Sequence, residues 1–215
     1  GASSAAAYFD WLKAHPDLPC IIDADALYAP ALPGLLSARA AGCVLTPHAK
    51  EFAALLALCG LAGTAGAAHA AAGSRAAAGL SAEECLARRP QLMEVFCRKY
   101  PGAVLLVKGA NVMIGCYRAG GMELYVNPLG SAALAKAGSG DVLAGLIAAL
   151  LAQKYGPLEA AISGSLAHAL ASQRFAANYA LSPLLLMDAV AALGCAGGPA
   201  GAGLPGLLTG AYPAG

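Results

Sequence analysis

Lys136-Ala137-Gly138-Ser139-Gly140-Asp141 runs without a break into the apolar stretch Val142 to Leu151, which places a carboxylate at the start of a helix. Two glycines let the backbone curl and turn its amides outward, and the helix behind them aims the positive end of its dipole at the loop. A loop of this kind can hold an anion beside a base, and Asp141 is the candidate base. The competing reading is a glycine-rich helix entry in which Asp141 is an ordinary cap.

Three further turns carry reactive side chains. Thr46-Pro47-His48-Ala49-Lys50-Glu51 sets an imidazole and a carboxylate three residues apart where a strand gives way to a helix. Proline fixes the exit, His48 can face a substrate, and Glu51 in the first helical turn can support magnesium or a water. A solvated histidine with Glu51 simply complementing the helix dipole is the alternative. Lys108-Gly109-Ala110-Asn111-Val112 offers a cation at a strand end and a glycine that permits close approach of a phosphate. As an isolated motif it reads equally as a solvated lysine before a hairpin. Asp23 and Asp25 alternate after an apolar run, so one is expected to face the same rim and to order a metal or water. His168 sits on an apolar helix and is expected to be structural, and Lys136 is either within reach of a phosphate or exposed.

Positioning these turns requires a layered frame. Cys20-Ile21-Ile22, Cys43-Val44-Leu45 and Ala103 to Val107 read as short buried parallel strands, each ending at one of the turns. Ligands of open α/β sheets bind at the carboxyl ends of strands, so the three turns should share one rim. Helical patterns cover 5–13, 50–58, 82–89 continuing towards Tyr100, 141–154, 157–177 and 183–193. Val112 to Tyr117 and Met122 to Val126 read as a hairpin across 118–121. Alternating helices and strands specify an α/β layered fold. Residues 1–194 are expected to form one domain, with an Ala/Gly-rich insertion over 60–79 and a flexible Gly/Pro/Ala tail over 195–215.

Composition narrows the function. The 215 residues are 59% hydrophobic and 12% charged with a formal net charge of +1, which suits a large core and gives no basic face for nucleic acid or an anionic membrane. Mean hydropathy is +0.63, yet no apolar run reaches the roughly 20 residues of a membrane-spanning helix. Seven scattered cysteines without a CxxC fit buried reduced thiols in the cytoplasm better than disulfides or zinc. A small-molecule partner is expected. The chain starts at Gly1 without a signal-peptide pattern, and residues upstream of a non-methionine start are expected to have been lost.

In order along the chain, IIDADAL (21–27), VLTPHAKEFAALL (44–56), LLVKGANVMI (105–114) and NPLGSAALAKAGSGDVLAGLIAALLAQ (127–153) resemble the ADP/ATP-dependent NAD(P)H-hydrate dehydratases. That family, the YjeF carboxy-terminal family, belongs to the ribokinase-like superfamily. The resemblance implies a three-layer α/β/α ribokinase-like fold with a mostly parallel central sheet, and an activity that repairs hydrated NADH and NADPH. It implies ADP or ATP and Mg2+ as cofactors; charge and composition lead to the expectation of no nucleic-acid or membrane partner, and a homo-oligomer is expected. It also implies roles. Asp141 would be the catalytic base and, with His48, would bind the hydrated dinucleotide. Lys108, Gly109, Ala110, Asn111, Val112, Gly138, Ser139 and Gly140 would bind the adenine nucleotide and its migrating phosphoryl group, and Glu51 a magnesium ion through water.

The chain departs from the family at Leu129, Ser131 and Leu134, where Thr, Asn and Met are usual, and at Ala169 and Ser172, where glycines are common. The family's amino-terminal strands and Gly-rich turn have no counterpart before Gly1, so about a third of the expected domain and part of the substrate pocket should be missing. Two rival readings follow: a ribokinase-like kinase of a vitamin-precursor alcohol, and a non-catalytic nucleotide-binding fragment or subunit. The Pro-His-x-x-Glu pattern at 47–51 favours the dehydratases over the kinases, which more often carry Asn in place of His48.

Overall fold

Strand alternation sorts the apolar residues of the chain onto two sides of one sheet. In the computed structural model, which describes residues 2–62, 80–174 and 182–195, strands β1 (Cys20–Ile22), β2 (Cys43–Leu45), β3 (Val104–Val107), β4 (Val112–Arg118) and β5 (Gly121–Asn127) lie in that spatial order. The first three are parallel, with Cys20 opposite Cys43 and Leu45 opposite Leu105; β4 and β5 return as an antiparallel hairpin. The strands fall where their apolar runs placed them, and the sheet is mixed because of the hairpin.

Leu45, Leu105 and Val107 face a core shared with α1 (Ala2–Ala14), α2 (Leu32–Arg39), α3 (Ala49–Leu58), α4 (Ala82–Ala87) and α5 (Arg89–Lys99). Val44, Val104 and Leu106 face the opposite way, onto α6 (Ser139–Ala152) and α7 (Pro157–Gln173). α8 (Pro183–Cys195) packs outside α6 and α7 through Leu186 and Ala189. This is the expected three-layer α/β/α arrangement. Helix α7 is buried nearly all round and built of small residues. A Cβ on Gly164 would lie 2.8 Å from Cγ1 of Ile147, so glycine there lets α7 approach α6 closely.

Several local readings change. The span 82–100 is two helices: Pro90 cannot donate an amide inside a helix, so the chain breaks at Arg88 (φ −113°, ψ 21°) and restarts with proline in the first turn of α5. Helix α2 escaped the sequence reading because Pro33 and Gly34 sit in its first turn. Its buried face, Leu32, Leu35, Leu36 and Arg39, nevertheless keeps helical spacing. Strand β1 stops at Ile22 and a 3-10 turn takes over from Ala24 to Tyr28, so Asp25 is exposed on that turn and only Asp23 faces the rim. Helix α6 begins at Ser139, two residues before the expected start, and α7 is described to Gln173. Most of the expected 60–79 insertion (63–79) and nearly all of the expected tail (196–215) lie outside the described residues.

Arg39, buried in this fold, donates to the carbonyls of Leu12, His15 and Leu18, and so ties the connection between α1 and β1 to α2. Among the described residues no helix is long and apolar enough to cross a membrane.

Candidate functional site

The carboxyl ends of β1, β2 and β3 bring Asp23, His48, Glu51 and Lys108 together. Alternation turns Asp23 and Lys108 to the α6 side of the sheet, and Lys108 Nζ donates to Asp23 Oδ1 at 2.9 Å. The same ammonium lies 3.8 Å from Oε2 of Glu51. Both carboxylates and the lysine are largely buried, with side-chain exposures of 15%, 9% and 22%. The backbone secures the arrangement: Lys108 N–H donates to the Pro47 carbonyl, and Thr46 N–H to that of Ile22.

His48 is the N-cap of α3. Its Nδ1 accepts from the amides of Lys50 and Glu51 at 3.2 and 3.3 Å, and the Glu51 carboxylate accepts from the His48 amide at 2.7 Å, a reciprocal capping box. An Nδ1 that accepts leaves the proton on Nε2, which faces Glu51 Oε1 at 3.3 Å. The ring is thereby oriented while half of its surface stays open to solvent.

Helix α6 points its first turn into this cluster. Gly138 has φ +85° and serves as the N-cap residue without a side chain; a Cβ there would meet Cγ of Pro183 at 2.5 Å. Ser139 Oγ donates to the Leu134 carbonyl at 2.6 Å and steadies the loop. The amides of Gly140 and Asp141 have no hydrogen-bond partner among the described residues, which is the open donor pair of a helix start. Gly140 lies over the lysine: a Cβ at this position would sit 3.4 Å from Lys108 Nζ and 4.0 Å from Asp23 Oδ2. Asp141, third in the helix, is exposed and unpaired among the described residues. It is a free carboxylate beside open amides, and it does not cap the helix.

The remaining positions of the 108–112 turn are placed simply. Gly109, Ala110 and Asn111 are exposed, and Val112 opens β4. Lys136 is exposed on the approach to Ser139.

His168 does more than fill space. Its Nε2 bonds to the Ser139 carbonyl at 2.9 Å, so α7 holds the first residue of α6. Burial, the larger cause, and the nearby Lys108 charge hold its pKa below the ordinary 6.5 against the opposing pull of the Ser139 carbonyl, so the neutral ring is the donor. Asn127 is the second buried support. Its amide donates to the carbonyl and Oγ of Ser165 and its Oδ1 accepts from Leu129 N–H, which pins the Asn-Pro turn to α7. Nothing in local periodicity marked either role, although the Asn-Pro pair lay within the quoted motif.

The family model Carb_kinase, described as NAD(P)H-hydrate dehydratase, matches residues 1–192. The chain belongs to that family. It is 45% identical over 180 residues to the bifunctional NAD(P)H-hydrate repair enzyme Nnr of Helicobacter pylori, a match covering 84% of this chain and 33% of that protein. It is 33% identical over 183 residues to the ADP-dependent (S)-NAD(P)H-hydrate dehydratase of Neisseria meningitidis, covering 84% and 53%. The chain therefore spans from a third to about half the length of these relatives.

Among solved structures, a ribokinase-like superfamily protein from Enterococcus faecalis superposes with a TM-score of 0.63 at 23% identity, over 87% of this chain and 57% of that one. The ADP/ATP-dependent NAD(P)H-hydrate dehydratase of Bacillus subtilis, crystallised with ATP/Mg2+ and soaked with CoA, superposes with a TM-score of 0.58 at 21% identity, over 82% and 56%. The dehydratase-family chain thus has the ribokinase-like fold. Within it, the family's Pro-His-x-x-Glu and Gly-Ser-Gly-Asp segments are the capping box and the open helix start just described.

Proposed function

We propose that the chain carries the dehydratase chemistry of its family: nucleotide-dependent return of hydrated NADH or NADPH to the dihydronicotinamide. The observation that carries the proposal is the meeting of Gly140, at the open start of α6, with Lys108 and Asp23 at the strand ends. One cation and two free amides are thereby gathered beside an unpaired carboxylate, Asp141.

Such a site suits phosphoryl transfer followed by elimination. Asp141 takes the proton of the ring hydroxyl, whose oxygen attacks the terminal phosphorus of ATP or ADP and releases ADP or AMP. The amides of Gly140 and Asp141 hold the charge that grows on the migrating phosphoryl group, helped by the α6 dipole. Hydroxide leaves a ring poorly and phosphate leaves it well. The ring nitrogen's electron pair then expels the phosphate to leave an iminium, and loss of a proton from the neighbouring ring carbon to solvent or the departing phosphate restores the dihydronicotinamide. His48, held by the capping box with half its ring open, contacts the dinucleotide. Lys108 to Val112, with Gly138, Ser139 and Gly140, receives the nucleotide.

The donor set also fits magnesium. Asp23 and Glu51 are hard oxygen donors near one another through Lys108, and among the described residues no group of three or more His, Cys, Asp or Glu side chains forms a dedicated cage. That pattern suits an ion held chiefly by the nucleotide's phosphates, with Glu51 acting through water. When bound, magnesium withdraws charge from those phosphates.

We place the protein in the cytoplasm, supported by the six free cysteines that are buried among the described residues. We also expect a homo-oligomer, supported by Leu124, Tyr125 and Val126, which lie exposed on the edge strand β5. Sedimentation at several concentrations tests the latter.

The deciding experiment supplies hydrated NADH with ADP or ATP and follows dihydronicotinamide absorbance for wild type and Asp141→Asn. Recovery is expected with wild type and should fall about 100- to 10,000-fold in the variant. No recovery from folded wild type would refute the dehydratase reading. Equal rates in both would remove Asp141 from the base role.

A further inference from the structure

Helix α5 directs one stripe of side chains into the core: Arg89, Leu92, Met93, Phe96 and Cys97. Four of the five are apolar and fully buried. The first is a guanidinium with only 9% of its residue surface exposed. Its Nε is buried without a hydrogen-bond partner, and no carboxylate or carbonyl among the described residues pairs with its other nitrogens. Desolvation alone lowers its pKa. Arg39 shows what a structural arginine looks like in the same core: its Nε is likewise unpartnered, but its Nη atoms donate to three carbonyls. Its Nη atoms have only solvent in place of such partners, a largely buried cation of this kind is poorly compensated, and one at a helix N-terminus also opposes the helix dipole. Both penalties are relieved by an anion.

The place where an anion would arrive is defined. Helix α5 runs back to the start of β3, so its first residue stands at the rim where β3 ends. Nη1 of Arg89 is 3.1 Å from the position a Cβ would occupy on Gly109. Strand alternation gives Lys108 to the α6 side and Gly109 to the α5 side, and the missing side chain of Gly109 leaves the guanidinium uncovered.

Charge at the rim makes the same demand. Asp23, Glu51 and Asp141 contribute three carboxylates, and Lys108, already engaged by two of them, contributes one ammonium. A polyphosphate entering this neighbourhood, even with its magnesium and the exposed Lys136 nearby, gains from another cation.

We propose that Arg89 is a second phosphate-binding residue of the site, reaching a phosphate group of the ligand across the open backbone of Gly109. The assignment rests on the nucleotide reading of the site. The phosphate comes either from the adenine nucleotide or from the hydrated NADPH, and the same bidentate fork suits both.

The test is calorimetric titration of the full chain with ADP, comparing wild type, Arg89→Met and Arg89→Lys, alongside thermal melting and KM for hydrated NADH and hydrated NADPH. Arg89→Met is expected to bind ADP at least about tenfold more weakly while melting no lower than wild type, because an unpaired buried charge has been removed. Arg89→Lys keeps the charge without the fork and should fall between the two. Unchanged ADP binding with a KM increase confined to hydrated NADPH would instead assign the phosphate to the dinucleotide. A fall in melting temperature with ADP affinity and both KM values unchanged would overturn the proposal and make Arg89 structural. If Arg89→Met does not fold, Arg89→Lys decides by the same criteria. Wild type that binds neither ADP nor, in the same titration, ATP would overturn the nucleotide reading and this assignment with it, whereas wild-type binding that the variants share, with both KM values unchanged, overturns this assignment alone.

Discussion

Lys108 Nζ lies 2.9 Å from Asp23 Oδ1, which joins the ends of β3 and β1 across β2. The bond fixes the ammonium beneath Gly140, so the lysine is oriented before any ligand arrives. A preset cation loses less freedom on binding than a solvated one.

Replacing Lys108 with methionine should therefore act twice. It leaves Asp23 and Glu51 facing each other with little solvent, which should cost about 2 kcal/mol in urea denaturation. It should also weaken ADP binding about tenfold or more in titration. The double variant with Asp23→Asn should recover part of the stability and none of the binding. Full recovery of binding would exclude a direct phosphate contact.

Glu51→Gln separates capping from charge. Glutamine can still accept from the His48 amide, so the helix start survives and stability should change by about 1 kcal/mol or less. With the negative charge gone, the magnesium concentration giving half-maximal turnover should rise roughly tenfold. A magnesium requirement identical to wild type would leave Glu51 with its capping role alone.

His168 gives stability a pH dependence. Its pKa is depressed in the fold by burial first and Lys108 second, so the unfolded chain binds the proton more readily. The contribution is present in full above the ordinary value of 6.5 and is lost as pH falls from there through the folded pKa, by at most about 1.4 kcal/mol per unit for one proton. Urea midpoints of wild type and His168→Gln measured from pH 8 to 5 should differ in slope only below that value. Parallel curves would show that other groups carry the acid dependence.

Gly138→Ala should loosen the start of α6. The residue holds φ +85°, and the new methyl would press on Pro183, a ring that cannot rotate away. A loss of about 1–3 kcal/mol is expected by denaturation. Pro183→Ala in the same chain should relieve the contact and leave only the backbone strain. Wild-type stability in the single variant would mean that α8 yields freely.

The strands and their turns were legible because each is a short apolar run closed by a distinctive residue: Asp23, Pro47 or Lys108. The hairpin was legible for the same reason. Helix α2 was hidden by Pro33 and Gly34, which discourage helix inside a segment but are tolerated in its first turn. The break before α5 followed from Pro90, whose missing amide belongs in a first helical turn and outweighed a continuous helical pattern. At the site, residue types were readable and partnerships were not. Lys108 gave no sign that it would be claimed by Asp23, since pairing between strands depends on sheet order. His168 was masked by its own helix, where small residues bury almost every position and no polar face singles out one side chain. Arg89 carries the opposite lesson: helical spacing alone placed it in the apolar stripe, yet a charged side chain draws no attention in a pattern search for core residues.

The Asp23–Lys108 bond spans 85 positions of sequence, a separation with kinetic consequences. Closing a loop of that length costs roughly 4 kcal/mol of chain entropy beyond the constant term, whereas the β4–β5 hairpin closes almost locally. Hairpin and helices can form early, and the pairing of β2 with β3 that carries Lys108 to Asp23 must come late. The reactive cluster is thus assembled among the last contacts to form, and a folding chain acquires its chemistry only when the sheet is complete.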